Sequence, residues 1–221
     1  MAAAKAVAEQ LKAKPNSCFG LPTGRTPLRM YELLCQWSAK GELDWSQACC
    51  FALDEYLEMA GGESYADYLA KHLYYSTNLL SQNRFTPAAC DDYDALIASH
   101  GGLDLTLIGV GTNGHIAFNE PGTLEASWTH GVWLTESTRR ANAEFFDGMD
   151  QVPRKAVTMG IQTIMSSRKI IVLASGDAKR SVLLKALQVE DCTDLPLCWA
   201  FRRPDIKVFA DFDVPAAQSK M

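Results

Sequence analysis

A histidine and a carboxylate stand five residues apart in a glycine-rich loop, and no other residues of this 221-residue chain are better spaced to move protons. They are His115 and Glu120, in the stretch LDLTLIGVGTNGHIAFNEPG at 103–122. An imidazole changes charge near neutrality, and a carboxylate beside it orients the ring and sets which nitrogen carries the proton. Gly109, Gly111 and Gly114 let the backbone turn sharply and approach a ligand closely. A second carboxylate, Asp54, follows the apolar run at 49–53. Two further loops suit an anion. Thr23, Gly24, Arg25 and Thr26 precede Pro27 at a helix start, which would gather hydroxyls, free amides and a guanidinium around a phosphate. Ser175-Gly176 precedes a helix with Lys179 in its first turn, where a lysine opposes the helix dipole unless an anion accompanies it.

Taken singly, each group has a commoner structural use. Asp54 could close a turn, Thr26 could cap a helix, His115 could be a satisfied, partly buried histidine, and Lys179 could be solvated. The loop also matches G-x-G-x-x-G at Gly109–Gly114, the fingerprint of dinucleotide sites. That motif needs a helix of several turns starting inside the loop, and Pro121-Gly122 break the chain first. We therefore expect no nucleotide cofactor.

The elements that must position these groups alternate along the chain. Runs at 18–21, 49–53, 103–108, 169–174 and 206–209 read as strands, while 27–38, 63–73 and 177–187 have helical spacing, as does the opening MAAAKAVAEQLKAK. Such alternation predicts an α/β fold, a three-layer αβα arrangement around a mainly parallel sheet, in one domain over 1–221. Ligands of such sheets bind beyond the carboxyl ends of the strands, which is where all four polar loops fall. Convergence of Asp54, His115 and Glu120 beside two phosphate-type loops describes proton transfer on a sugar phosphate.

Composition excludes other classes. A net charge of −5 and 48% hydrophobic residues argue against nucleic-acid binding, and no apolar run is long enough to span a membrane. The seven cysteines are odd in number and lack C-x-x-C spacing, so reduced, mostly buried thiols in a cytoplasmic protein are expected, with no metal site.

The segments LPTGRTPLRMYELL, FALDEYLEMAGGESYADYL, LTLIGVGTNGHIAFNEPG, LTESTRRANAEFF and VPRKAVTMGIQTIMSSRKIIVLASGDAK resemble, in order, the glucosamine-6-phosphate deaminase/isomerase family. That family belongs to a wider group with 6-phosphogluconolactonase. Asn119-Glu120-Pro121 favours the deaminase branch. The resemblance implies a Rossmann-like fold, no cofactor, and an amino-sugar phosphate as the small-molecule partner. By position, Asp54 would be the base at C2, His115 would open the sugar ring, Glu120 would orient His115, and Asn113 would assist by hydrogen bonding. Thr23, Gly24, Arg25, Thr26, Gly114 and Lys179 would hold the substrate. Glu144 stands where many relatives offer an arginine to the phosphate, and Arg139 or Arg140 is expected to compensate. The chain starts near the family's first helix, so its opening strand is expected to be missing. The segment 127–133 lacks the clustered basic residues of allosterically activated branches, so no activation by N-acetylglucosamine 6-phosphate is expected. The family contains both monomers and hexamers, which leaves the oligomeric state open. The galactosamine 6-phosphate epimer, a lactonase and a non-catalytic sensor are the alternatives.

Overall fold

Successive residues of the apolar runs face opposite sides of one sheet, and both sides are covered, so the runs are apolar throughout rather than alternating with polar residues. The computed structural model describes residues 1–215. In chain order its elements are α1 (Ala2–Ala13), β1 (Cys18–Leu21), α2 (Leu28–Ala39), β2 (Cys49–Ala52), β3 (Asp54–Leu57), α3 (Tyr65–His72), β4 (Arg84–Phe85) and α4 (Tyr93–Ser99). They continue with β5 (Leu105–Gly109), β6 (His130–Trp133), α5 (Glu136–Asn142), β7 (Lys155–Thr158), α6 (Ile161–Met165), β8 (Ile170–Ala174), α7 (Asp177–Ala186), α8 (Leu197–Phe201) and β9 (Lys207–Ala210).

Phe19, Leu21, Cys50, Ala52, Leu105, Leu107, Ile171 and Leu173 pack against α1, α2 and α3. Their neighbours Cys18, Cys49, Phe51, Ile108, Ile170 and Val172 pack on the other side against α4, α6, α7 and α8. Helix α1 buries Ala3, Ala4, Val7, Ala8 and Leu11, the stripe its spacing predicts. The three-layer expectation is met.

The six-stranded sheet has the order β4-β2-β1-β5-β8-β9, with every pair parallel. From β1 the chain steps outward through β2 to β4, then returns to lay β5 on the opposite side of β1. This reversal opens a crevice beyond the carboxyl ends of β1 and β5, the place where such sheets bind ligands. The loops at 22–26 and 110–120 flank it directly, and the ends of β2 and β8 stand one strand away on either side.

A second sheet, β3-β7-β6, is antiparallel and was not expected. The chain leaves β2 and after Leu53 enters β3, so Asp54 opens a strand instead of lying in a loop. Its ladder partner is Thr158, far along the chain, and His130 of β6 pairs with the same residue.

The expectation of reduced thiols fails at two positions. Cys192 and Cys198 form a disulfide with Cα atoms 5.1 Å apart, while Cys18, Cys35, Cys49, Cys50 and Cys90 are free. Two successive turns, Leu195 N to Cys192 O and Cys198 N to Leu195 O, fold the segment back until the pair is within bridging distance. A spacing of six residues carries no such signal in the sequence.

Candidate active site

The loop after β5 closes on itself before it presents any side chain. Gly114 N donates to Gly111 O, and Gly111 N donates to His115 O. Gly114 has φ +83, in the left-handed region, and Leu195 occupies the space where its Cβ would lie. Its carbonyl accepts Leu197 N. The backbone of Gly114 is thus engaged inside the fold, where it shapes the loop. At Gly111 a Cβ would collide with the His115 ring, so the absent side chain makes the seat for the imidazole.

Asn113 and Glu120 surround that imidazole. Asn113 Nδ2 donates to Glu120 Oε2 at 2.7 Å, and Asn113 Oδ1 accepts His115 N at 3.2 Å. His115 Nδ1 stands 3.7 Å from Glu120 Oε2, too long for a hydrogen bond, and this buried nitrogen has no hydrogen-bond partner. The other oxygen of Glu120 accepts from Thr138 and, at 3.3 Å, from Thr135, both at the start of α5. Burial by itself raises the Glu120 carboxyl; the neighbouring His115, the Thr138 hydroxyl and the Asn113 amide outweigh it and bring the pKa down to about 2. Near neutral pH Glu120 is therefore an anion facing His115.

Asp54 is in the opposite condition. It is 6% exposed, and burial first, then the adjacent Glu55 charge, pushes its carboxyl well above the ordinary range. Glu55 points elsewhere, accepting the amides of Tyr56, Tyr65 and Ala66, and so ties β3 to the amino end of α3. Thr158 joins the two halves of the site: it faces Asp54 in the ladder, and its hydroxyl accepts Phe118 N at 3.2 Å. Tyr65 adds a hydroxyl beside Thr23, 3.2 Å from the Tyr56 hydroxyl. Its ring stacks on Phe118 with centroids 5.7 Å apart.

The loop at 22–26 is held from behind by Tyr31, donating to Pro22 O, and by Tyr68, donating to Gly24 O. Pro27 occupies the cap position of α2 and no side chain caps that helix, so Thr26 is not spent as a cap. Arg25 is exposed and pairs with Glu144, its guanidinium 5.9 Å from the Phe145 ring. Arg139 does not compensate as expected: it donates to the carbonyls of Met149 and Val152. Arg140 pairs with Glu136. Across the crevice Lys179 is half-buried, which lowers its pKa, and has no ion-pair partner among the described residues. Gly176 N beside it donates to Asp211 at 2.9 Å.

Of the residues singled out from the sequence, Arg25, Asn113, His115 and Glu120 lie on loops past the ends of β1 and β5, while Asp54 opens β3 and Lys179 lies in the first turn of α7. Reasoning from sequence missed Tyr65, Thr135 and Thr138, which lie on helix starts with no loop signal, and it missed the link through Thr158. Among the described residues no group of three or more His, Cys, Asp and Glu side chains could hold a metal ion. Nor is any helix there long and apolar enough to cross a membrane.

Residues 1–208 match the family described as glucosamine-6-phosphate isomerases/6-phosphogluconolactonase. A glucosamine-6-phosphate deaminase of Lachnoclostridium phytofermentans is 40% identical over 221 residues, covering 96% of this chain and 94% of its own. One from a Geobacillus species is 42% identical, covering 96% and 88%. The solved structure of a monomeric glucosamine-6-phosphate deaminase superposes with a TM-score of 0.89 at 37% identity, over 94% of this chain and 90% of that one. A 6-phosphogluconolactonase from Trypanosoma cruzi, at 17% identity and a TM-score of 0.72 over 95% and 88%, shares the fold.

Proposed function

Since the chain belongs to the glucosamine-6-phosphate isomerase/6-phosphogluconolactonase family, we propose that it converts glucosamine 6-phosphate to fructose 6-phosphate and ammonia. The observation that carries this reading is a pair of carboxyls in opposed surroundings: Asp54 buried at the start of β3 with its pKa pushed up, and Glu120, 3.7 Å from the His115 imidazole, gripped by Asn113 and Thr138 with its pKa brought down to about 2. Two titratable groups separated in this way divide acid and base work.

The cyclic sugar must open first. His115 takes the proton of the anomeric hydroxyl and returns it to the ring oxygen, and the Glu120 anion stabilises the imidazolium that forms between the two transfers. Asp54 then removes the proton from C2 while the substrate's own ammonium yields a proton to O1, giving an enolamine, and Asp54 delivers the C2 proton to C1. The product is an imine at C2, and attack by water followed by loss of ammonia leaves fructose 6-phosphate. A carboxyl with a raised pKa suits this step, because a base works best when its pKa lies near the working pH. Thr23, Gly24, Arg25 and Thr26 on one side of the crevice and Lys179 on the other hold the phosphate. Lys179 is the half-buried cation that an anionic substrate would satisfy. Asn113 keeps Glu120 and the His115 backbone in register.

The lactonase alternative rests on relatives that match in fold alone, and Asn119-Glu120-Pro121 argues against it. The segment at 127–133 leads through a bend at Thr129 into the edge strand β6, and we retain the expectation that N-acetylglucosamine 6-phosphate does not activate the enzyme. The test is release of ammonia and fructose 6-phosphate in equal amounts from glucosamine 6-phosphate, with galactosamine 6-phosphate and 6-phosphogluconolactone in parallel. Turnover of either parallel compound in preference to glucosamine 6-phosphate overturns the assignment. A folded protein that turns over none of the three points to the sensor.

A further inference from the structure

Helix α5 buries one residue, and that residue is polar. Thr138 is 3% exposed, whereas Glu136, Ser137, Arg140 and Ala141 of the same helix are open to solvent. A buried hydroxyl costs stability unless it is hydrogen-bonded, so a position with this surrounding selects valine or alanine unless the oxygen has work to do. The Thr138 hydroxyl donates to Glu120 Oε1. Its own oxygen lies 3.1 Å from Thr135 Oγ1, and Thr135 in turn caps α5 by accepting Thr138 N at 3.2 Å. The threonines thereby occupy one oxygen of Glu120, and Asn113 takes the other, the oxygen that faces His115. A carboxylate gripped at both oxygens cannot rotate about its last torsion.

We propose that Thr138 is a positioning residue for ring opening, holding Glu120 from the α5 side so that its free face stays turned to His115. The proposal rests on the deaminase reading for its chemistry and on the α5 geometry for its placement. The seat of α5 is itself firm: Arg139 donates to Met149 O and Val152 O, and the segment that follows sets Phe146 edge-on to Tyr56 with centroids 5.3 Å apart. Loss of the hydroxyl removes one of the donors that depress the Glu120 pKa, so the carboxyl becomes easier to protonate and less firmly aimed.

The test compares Thr138→Val with Thr138→Ser and reads two quantities. The first is the Glu120 carboxyl titration by carbon-13 NMR in the unliganded protein. Thr138→Val is expected to move the midpoint up from about 2 by roughly one pH unit, and Thr138→Ser to leave it in place. The second is turnover: Thr138→Val is expected to lower kcat about tenfold with KM within about twofold, and Thr138→Ser to restore it. Thr138→Ala, which removes the hydroxyl without adding bulk, gives the same readings should the valine variant not fold. An unmoved titration overturns the proposal, as does a serine variant as impaired as the valine one, since either would make Thr138 a packing residue. A wild-type protein that releases no ammonia overturns the deaminase reading instead, and the titration still decides the placement of Thr138.

Discussion

Asp54 and Glu120 both stand at the carboxyl edge of the parallel sheet, yet their surroundings are opposed. Asp54 opens β3 with burial and the Glu55 charge both acting against ionisation. Glu120 lies in a loop where hydroxyl and amide donors and a histidine converge on its oxygens. Burial alone would raise both carboxyls; donors aimed at Glu120 reverse the sign there. What separates the raised carboxyl from the depressed one here is the supply of donors from neighbouring elements, not the type of side chain.

The largest effect expected is at Asp54. Asp54→Asn should lower kcat for ammonia release by about 10³–10⁴-fold with KM little changed, because the amide cannot take the C2 proton. In the wild type, kcat/KM should rise with pH along an acid limb whose midpoint lies above the usual aspartate value of about 3.9, since the base form is gained as pH increases. A limb at or below that value would break the contrast between the two carboxyls.

Glu120→Gln should cost about 10²-fold in kcat, less than Asp54→Asn, because His115 remains and only its partner charge is lost. Equal losses in the two variants would show that Glu120 does more than support the imidazole.

Stability should respond with opposite signs. For Asp54, whose folded pKa is raised, the folded state holds an extra proton between about pH 3.9 and that higher value, so stability falls as pH rises through the window. Asp54→Asn should therefore raise Tm at pH 7, by roughly 2–4 °C, with the gain vanishing below about pH 4. For Glu120 the folded pKa is depressed, so its contribution is present above about pH 4.3 and is lost as pH falls toward 2. Glu120→Gln should lower Tm at pH 7 by a similar amount, the deficit closing toward pH 2. Thermal melts across pH 2–8 check both; shifts of the same sign would erase the distinction.

The smallest effect belongs to a third carboxylate, at the exposed rim. Glu144 pairs with Arg25, so a substrate phosphate must displace it to use that guanidinium. Glu144→Gln should lower KM roughly two- to fivefold with kcat unchanged, the scale of an exposed ion pair. Initial rates at low and high salt would check this, the difference shrinking as salt screens the pair.

The parallel sheet and its polar loops were legible because each depends on local pattern. Apolar runs such as Ile170–Ala174 and the helical stripe Ala3, Ala4, Val7 declare themselves over a few residues. Strand β6 does not: His130-Gly131-Val132-Trp133 has one partly buried aliphatic residue and a mostly exposed tryptophan, so nothing local marks a strand. The Cys192–Cys198 bridge was invisible for the same kind of reason, since bridging depends on how the chain folds back and not on spacing.

By itself the sequence determined which side chains could do chemistry and that polar segments would follow the strand ends, three of them as loops or helix starts while the one at Asp54 opens a strand, because strand and helix periodicity are properties of short segments. Tertiary structure alone decided their electrostatics and supports: the ladder setting Thr158 opposite Asp54, the hydroxyl of Thr138 on Glu120, and the engagement of Arg25 by Glu144 and of Arg139 by Met149 and Val152. Those contacts join residues distant along the chain, and hydrogen bonding, burial and charge depend on distance in space. A carboxylate's pKa is therefore set only when the chain has folded around it.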